Sequence, residues 1–164
     1  MTPIWSQPRT WLTGELATAA LLNQHLRDNL DWLKTPPVAV QFPTSTVVVT
    51  STAFTDIWSP LNLTTAGGGL LIGVVSTVSL AGVGQVGEYD LMLDGVSQGG
   101  TDGVLIFYQP VANYYLNGSF TYYIPPIAAG AHTIKLRARV AVSNTLSIYA
   151  STVGVKSQIW VREV

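Results

Sequence analysis

The chain has 164 residues, a net charge of −1, no cysteine and two histidines. Without thiols, disulfide frameworks and thiol catalysis are excluded, and two histidines leave a structural zinc site short of ligands. Charged residues make up only 10% of the chain and hydrophobic ones 48%, against roughly 25% charged in an ordinary soluble domain.

So little ionic surface cannot cover a lone copy in water, and the expectation is an obligate oligomer that buries neutral surface between subunits. Membrane insertion is the competing explanation. It fails because Gly, Pro, Ser and Thr interrupt the low-charge region from Val38 to Gly87, leaving no run of about 20 apolar residues. The start, MTPIWSQPRT, lacks the basic n-region and apolar core of a secretory signal. Between Lys34 and Lys135 every charge is acidic: Asp56, Glu88, Asp90, Asp94 and Asp102. The basic residues Lys135, Arg137, Arg139, Lys156 and Arg162 follow in the last thirty residues. Spread over separate strands, they suit charge pairing between strands or subunits. They do not suit a nucleic-acid groove.

In chain order, the first element is a helix. Thr18 supplies a capping hydroxyl for a helix opening at Ala19, with Gly14 and Glu15 in a turn leading in. Ala19, Leu22, Leu26, Leu30 and Leu33 recur at spacings of three and four and share a face. Thr35-Pro36-Pro37 stops the helix, giving a rod of roughly 24 Å over Ala19–Lys34. Asn29 falls where a strict heptad needs an apolar residue, so a long coiled coil is not expected. Trp5, Trp11 and Trp32 add large amphipathic anchors of the kind that dominate interfaces. Two readings stay open: the helix packs across its own β-domain, or its face of Leu22, Leu26, Leu30 and Leu33 joins copies or an assembly partner. On the second reading residues 1–37 are an attachment and oligomerisation arm, and 38–164 a β-domain.

From Val38 the apolar period drops to two. TVVVT, FTDIWS, GLLIGVVSTVSL, EYDLMLD, GVLIFYQ, SFTYYIP, TLSIYAS and KSQIWVREV read as strands, with Asp94-Gly95 a hairpin dipeptide and Gly67-Gly68-Gly69 a turn. The clearest strand is HTIKLRARVAV. In it His132, Ile134, Leu136, Ala138, Val140 and Val142 share one face, and Thr133, Lys135, Arg137 and Arg139 the other. The predicted fold class is mainly β: a jelly roll or β-sandwich of about 8–10 antiparallel strands after one N-terminal amphipathic helix.

Two patterns imitate chemistry. Gly82-Val83-Gly84-Gln85-Val86-Gly87 fits G-x-G-x-x-G, but a dinucleotide fingerprint needs a helix to follow, and EYDLMLDG is a strand. Gly95-Val96-Ser97-Gln98-Gly99 fits G-x-S-x-G, with Asp102 and His132 in hydrolase order. The nucleophile elbow needs strand–turn–helix, and the glycines after Ser97 argue for a hairpin loop. Glu88, Asp90, Asp94 and Asp102 lack a calcium-loop spacing. The reading is therefore non-enzymatic, without catalytic residue, metal or cofactor. The aromatic loop VANYYLNGSFTYY, with Tyr114, Tyr115, Tyr122 and Tyr123, is either core and interface filling or a candidate recognition surface for a host receptor or glycan.

The segment W-x-x-G-E-x-x-x-A-x-x-L-N-x-H-L-R-D-N-L-x-x-L, from Trp11 to Leu33, resembles the start of tailed-bacteriophage and prophage virion proteins of the decoration, head-fibre and tail-fibre type. AAGAHTIKLRARV and the closing IWVREV are similar to the end of the jelly-roll domains that follow such helices. Those domains resemble the trimeric C1q and tumour-necrosis-factor jelly rolls. The resemblance implies a homotrimeric virion structural protein on the outer surface of the particle, contacting a major capsid, tail or fibre protein. A fibre tip recognising the host surface is the alternative.

Overall fold

The computed structural model describes residues 6–151 and 153–164. The helix runs over the expected residues, in three pieces: α-helical Ala19–Leu22, a π-helical turn Asn23–Arg27, and α-helical Asp28–Lys34. The Leu21 N–H donates to Thr18 Oγ1 at 3.3 Å. At the other end the Thr35 hydroxyl donates back to the Asp31 carbonyl at 2.8 Å, and Pro36 forbids a further turn. Ahead of the helix the Glu15 N–H closes a turn on the Leu12 carbonyl at 3.0 Å. Gly14 takes the left-handed conformation there (φ 82°).

The strands are β1 (Val38–Gln41), β2 (Val47–Val49), β3 (Thr55–Asp56), β4 (Leu61–Thr65), β5 (Leu70–Val75), β6 (Thr77–Leu80), β7 (Gln85–Leu93), β8 (Val96–Ser97), β9 (Leu105–Gln109), β10 (Leu116–Asn117), β11 (Phe120–Ile124), β12 (Gly130–Val140), β13 (Leu146–Tyr149) and β14 (Gln158–Glu163). Their pairings are all antiparallel. One group runs β1-β14-β5-β11 and another β2-β13-β6-β10. Each position in the first group is the sequence neighbour of the same position in the second. Together they are one four-position layer, broken across its middle. The facing layer is β12 paired with β7, edged by β3 and β4 on one side and β8 and β9 on the other. In chain order the eight strand positions change layer at every step except from β7 to β8 and β9, which is the double Greek key of a jelly roll.

The break has a local cause. Ser76 separates β5 from β6, and opposite it Gly118-Ser119 separates β10 from β11. The Ser76 hydroxyl donates to the Gly118 carbonyl at 3.1 Å and meets the Tyr89 hydroxyl at 3.1 Å. A Cβ at Gly118 would stand 2.7 Å from Ser76 Oγ, so only glycine fits. The expected single strand GLLIGVVSTVSL is therefore two strands. FTDIWS contributes only Thr55–Asp56, and LNLTT, not anticipated, is β4 against β12.

The core lies between the layers. Leu70, Ile72, Val74, Val78, Ile148 and Val161 come from one, and Tyr89, Leu91, Ile134, Leu136 and Val140 from the other. Tyr89 is fully buried, edge-on to Phe107 at 5.3 Å, and burial pushes its hydroxyl well above the ordinary tyrosine range. β12 alternates as predicted through Val140, where the strand ends; Val142, placed inward by extending the alternation, is exposed.

Candidate functional site

The outer faces of the two layers differ in kind. On the β12–β7 face the register sets Arg137 opposite Asp90 and Arg139 opposite Glu88. Arg137 pairs with Asp90, Arg139 Nη2 reaches Glu88 at 2.5 Å, and Lys135 reaches Asp56 at 2.7 Å. Phe54 lies against both guanidinium groups, 4.6 Å from Arg139 and 5.4 Å from Arg137. The acidic middle and basic end of the chain thus meet across one sheet, as their separation in sequence suggested.

The 95–103 loop closes over Asp90, which is 0% exposed. The Ser97 hydroxyl donates to one carboxylate oxygen at 2.9 Å and the Gly99 N–H to the other at 2.9 Å. Ser97 is therefore committed to a carboxylate, on a hairpin rather than at a strand–helix elbow. Asp102 faces Arg139 at 3.7 Å, and His132 faces Asp94, so the three residues in hydrolase order do not assemble. Gly82–Gly84 turns into β7, as the reading of a strand connection expected. Glu88, Asp90 and Asp94 each face a basic side chain and form no shared oxygen cage.

Asp94 and Gly95 both adopt positive φ (48° and 86°), the geometry of a two-residue hairpin turn. This turn carries Asp94 to His132 Nδ1 at 2.6 Å and to the Thr133 N–H at 2.8 Å. The hydrogen bond to Asp94 raises the His132 pKa from 6.5, and the bond from His132 lowers that of Asp94 from 3.8. The raised histidine stabilises the fold fully below about pH 6.5 and loses that contribution as pH climbs through its folded value. The lowered aspartate contributes above about pH 3.8 and loses it as pH falls through its folded value. Urea midpoints of wild type and His132→Gln should therefore differ most near pH 5 and converge by pH 9. High salt should shrink the gap, because Asp94 is exposed.

The broken layer shows the opposite outer face. Its eight strand segments contain two charged residues, Arg162 and Glu163. Glu163 points inward, its carboxylate accepting the Ala66 and Gly68 N–H groups at 2.7–3.0 Å. Outward point Val38 and Val40 of β1, Leu71 and Val75 of β5, Tyr123 of β11 and Trp160 of β14. Val38, Val40, Val75 and Tyr123 are exposed. Val40 lies opposite Trp160 and Trp160 opposite Gly73. The indole covers that glycine so closely that a Cβ there would come within 2.2 Å of it. Past the break the same face continues as Val48, Ser147, Tyr149 and Tyr115.

The four tyrosines of the aromatic loop are not gathered into one patch. Tyr115 packs edge-on against Tyr149 at 5.1 Å, and Tyr123 projects from the same outer face. Tyr114 is exposed in the loop before β10. Tyr122 faces inward and donates its hydroxyl to the Gln98 carbonyl at 3.2 Å.

On the helix, Leu22, Leu26, Leu30 and Leu33 are all exposed, Leu30 by 64%; the chain's own sandwich does not cover this face. Asn29, the polar residue in the would-be heptad, is buried. It takes the Ser6 N–H on its side-chain oxygen at 2.9 Å and returns its amide N–H to the Ser6 carbonyl at 2.8 Å. Asn29 thus clips the preceding arm along the helix. Trp32 sits with Gly67, Gly68 and Val164 around a cavity of about 270 Å³ at the end of the sandwich. Trp11 is exposed beneath the Arg9 guanidinium at 5.0 Å. Trp5 lies outside the described residues.

Composition pointed to buried neutral surface without locating it. The locating signal is the absence of alternation: VVV in β2 and LLIGVV in β5 are apolar on both faces, the pattern of strands covered on two sides, whereas β12 alternates.

No family model matches the chain, and no curated protein matches it. Among solved structures the chain is similar to the Eiger TNF of S. frugiperda, at 13% identity and TM-score 0.43, covering 78% of this chain and 93% of that one. It is also similar to the sugar-binding EclA C-terminal domain, at 15% identity and TM-score 0.40, covering 65% and 74%. A third likeness is to the insecticidal delta-endotoxin Cry8Ea1 of Bacillus thuringiensis, at 12% identity and TM-score 0.43, covering 73% of this chain. The chain spans only about a fifth of that toxin's length, 19%. Likenesses this distant say nothing of activity or partners.

Proposed function

We propose that the chain is a non-enzymatic structural component of a bacteriophage virion, a homotrimer displayed on the particle surface as a capsid decoration protein or short fibre. One observation carries the assembly: the outer face of the broken layer is apolar and almost without charge, while the opposite layer satisfies its charges internally. Four strands about 4.8 Å apart, over the length of Leu70–Leu80 at about 3.3 Å per residue, span roughly 700 Å². That is close to the roughly 800 Å² each partner contributes to a standard interface. Each copy turns this face toward the shared axis. The exposed leucines of the helix, with Trp11 and Trp32, form the attachment end. The virion assignment is supported by the resemblance of the Trp11–Leu33 segment to the N-termini of phage structural proteins.

Deleting residues 1–37 separates the two roles. The truncated chain is expected to sediment as a trimer and to lose its place on purified particles. Full occupancy of particles by the truncated protein would overturn the attachment role, and a truncated chain running as single copies would overturn assembly through the sheet.

A further inference from the structure

A cavity of about 490 Å³ lies where the β1–β2 connection meets the β3–β4 connection, lined by Gln41, Phe42, Thr44, Ser45, Asp56 and Trp58, among others. It belongs neither to the apolar sheet face nor to the leucine face of the helix. Two features of its wall are unusual. Trp58 is only 8% exposed, yet its indole N–H has no hydrogen-bond partner, and the side-chain oxygen of Gln41 has none either. A buried polar atom without a partner costs on the order of 1–3 kcal/mol, so each such atom in a native fold calls for a reason.

An unmatched donor and an unmatched acceptor in one pocket wall are what a hydroxyl group satisfies, since it accepts one hydrogen bond and donates another. Thr44, Ser45 and Ser59 add hydroxyls to the lining. Asp56 is neutralised by Lys135 at 2.7 Å, leaving its second oxygen unused. Phe42 presents an aromatic ring that is 65% exposed. Hydroxyl-matching groups, no uncompensated charge and an exposed ring together suit a ligand with many hydroxyls and one apolar face. An anion would find no free cation in this lining, and a purely apolar ligand would leave the hydroxyls unsatisfied.

We infer that this cavity is a saccharide-binding site for a neutral hexose unit, with Phe42 as the stacking surface and Gln41 and Trp58 bonded to one sugar hydroxyl. Seating that hydroxyl requires the 42–46 connection to move outward, because both atoms are buried in the unliganded fold. The inference does not depend on the trimer or on virion attachment.

The test uses the full chain on an array of neutral hexose and N-acetylhexosamine oligosaccharides, with saturation-transfer NMR on the best binder. Wild type is expected to bind saturably. Phe42→Ala, which removes an exposed ring and leaves the core intact, should bind about tenfold more weakly. Trp58→Phe keeps a ring but removes the donor and should weaken binding similarly, its folding checked by near-ultraviolet circular dichroism. Tyr108→Ala, which removes an exposed ring on the opposite layer, should bind as wild type does. The inference is overturned if no saccharide on the array binds, if binding survives Phe42→Ala, or if Tyr108→Ala abolishes it equally. Sedimentation of the same samples reads the trimer separately, so the two readings fail independently.

Discussion

Asp90→Ala is expected to lower stability by about 3 kcal/mol, whereas Asp56→Ala, across β12 on the same face, costs less than about 1 kcal/mol. Both carboxylates pair with a cation from β12, so pair counting would rate them alike. Burial separates them. The Asp56 and Lys135 side chains remain 44% and 32% exposed, and water screens an exposed pair to a few tenths of a kcal/mol. Asp90 is fully buried and holds Arg137, the Ser97 hydroxyl and the Gly99 N–H at once. Removing it strands a guanidinium under Phe54 and leaves two donors of the 95–103 loop unmatched. Breaking one side of a buried pair typically costs about 3–5 kcal/mol; the low end applies because Arg137 keeps some contact with water. For a chain of this length the change is a fall of about 6–12 °C in Tm. Calorimetry at one fixed protomer concentration measures it, since association raises apparent Tm by mass action. Equal losses for the two variants would refute the assignment of Asp90 as the buried anchor.

The contrast between these aspartates was half visible in the sequence. Alternation in HTIKLRARV placed Lys135, Arg137 and Arg139 on one face, and Glu88 and Asp90 shared a face two residues apart, so complementary strands could be read from spacing alone. Their depth could not, because it depends on a loop of glycines and serine folding back over β7, and no local period encodes that. The helix was equally legible: Thr18 caps it and Pro36 ends it, although no spacing announced the π-helical turn Asn23–Arg27. The clip between Asn29 and Ser6 was not, since an asparagine in a heptad looks like a defect until its backbone partner arrives from 23 residues away. Gln109 is the same case, its buried amide bonded to the N–H and carbonyl of Leu80 on the other layer. LNLTT carried a proper alternation of Leu61, Leu63 and Thr65 that the neighbouring Pro60 and asparagine disguised. The cavity at Phe42 left no pattern at all, as it is assembled from two connections.

The largest effect on assembly is expected from Val40→Glu. Val40 projects from β1 beside Trp160 on the nearly uncharged face, and in a threefold assembly the substitution would place three carboxylates against largely neutral surface. Each would have to shed water without a cation to meet it, at a cost of several kcal/mol. Arg162, the only cation within the strands of that layer, lies two positions along β14, opposite Val38. A penalty of about 4 kcal/mol shifts the dissociation constant roughly a thousandfold, enough to turn a trimer at micromolar concentration into single copies. Ile106→Glu is the control: Ile106 is an exposed β-strand isoleucine on the other layer, where a new carboxylate stays in water, opposite a Glu88 whose charge Arg139 already pairs. Analytical ultracentrifugation of wild type and both variants should give a trimer, single copies for Val40→Glu and a trimer for Ile106→Glu. Single copies in the wild-type sample would remove the sheet-face interface altogether, and dissociation by Ile106→Glu alone would move it to the opposite layer.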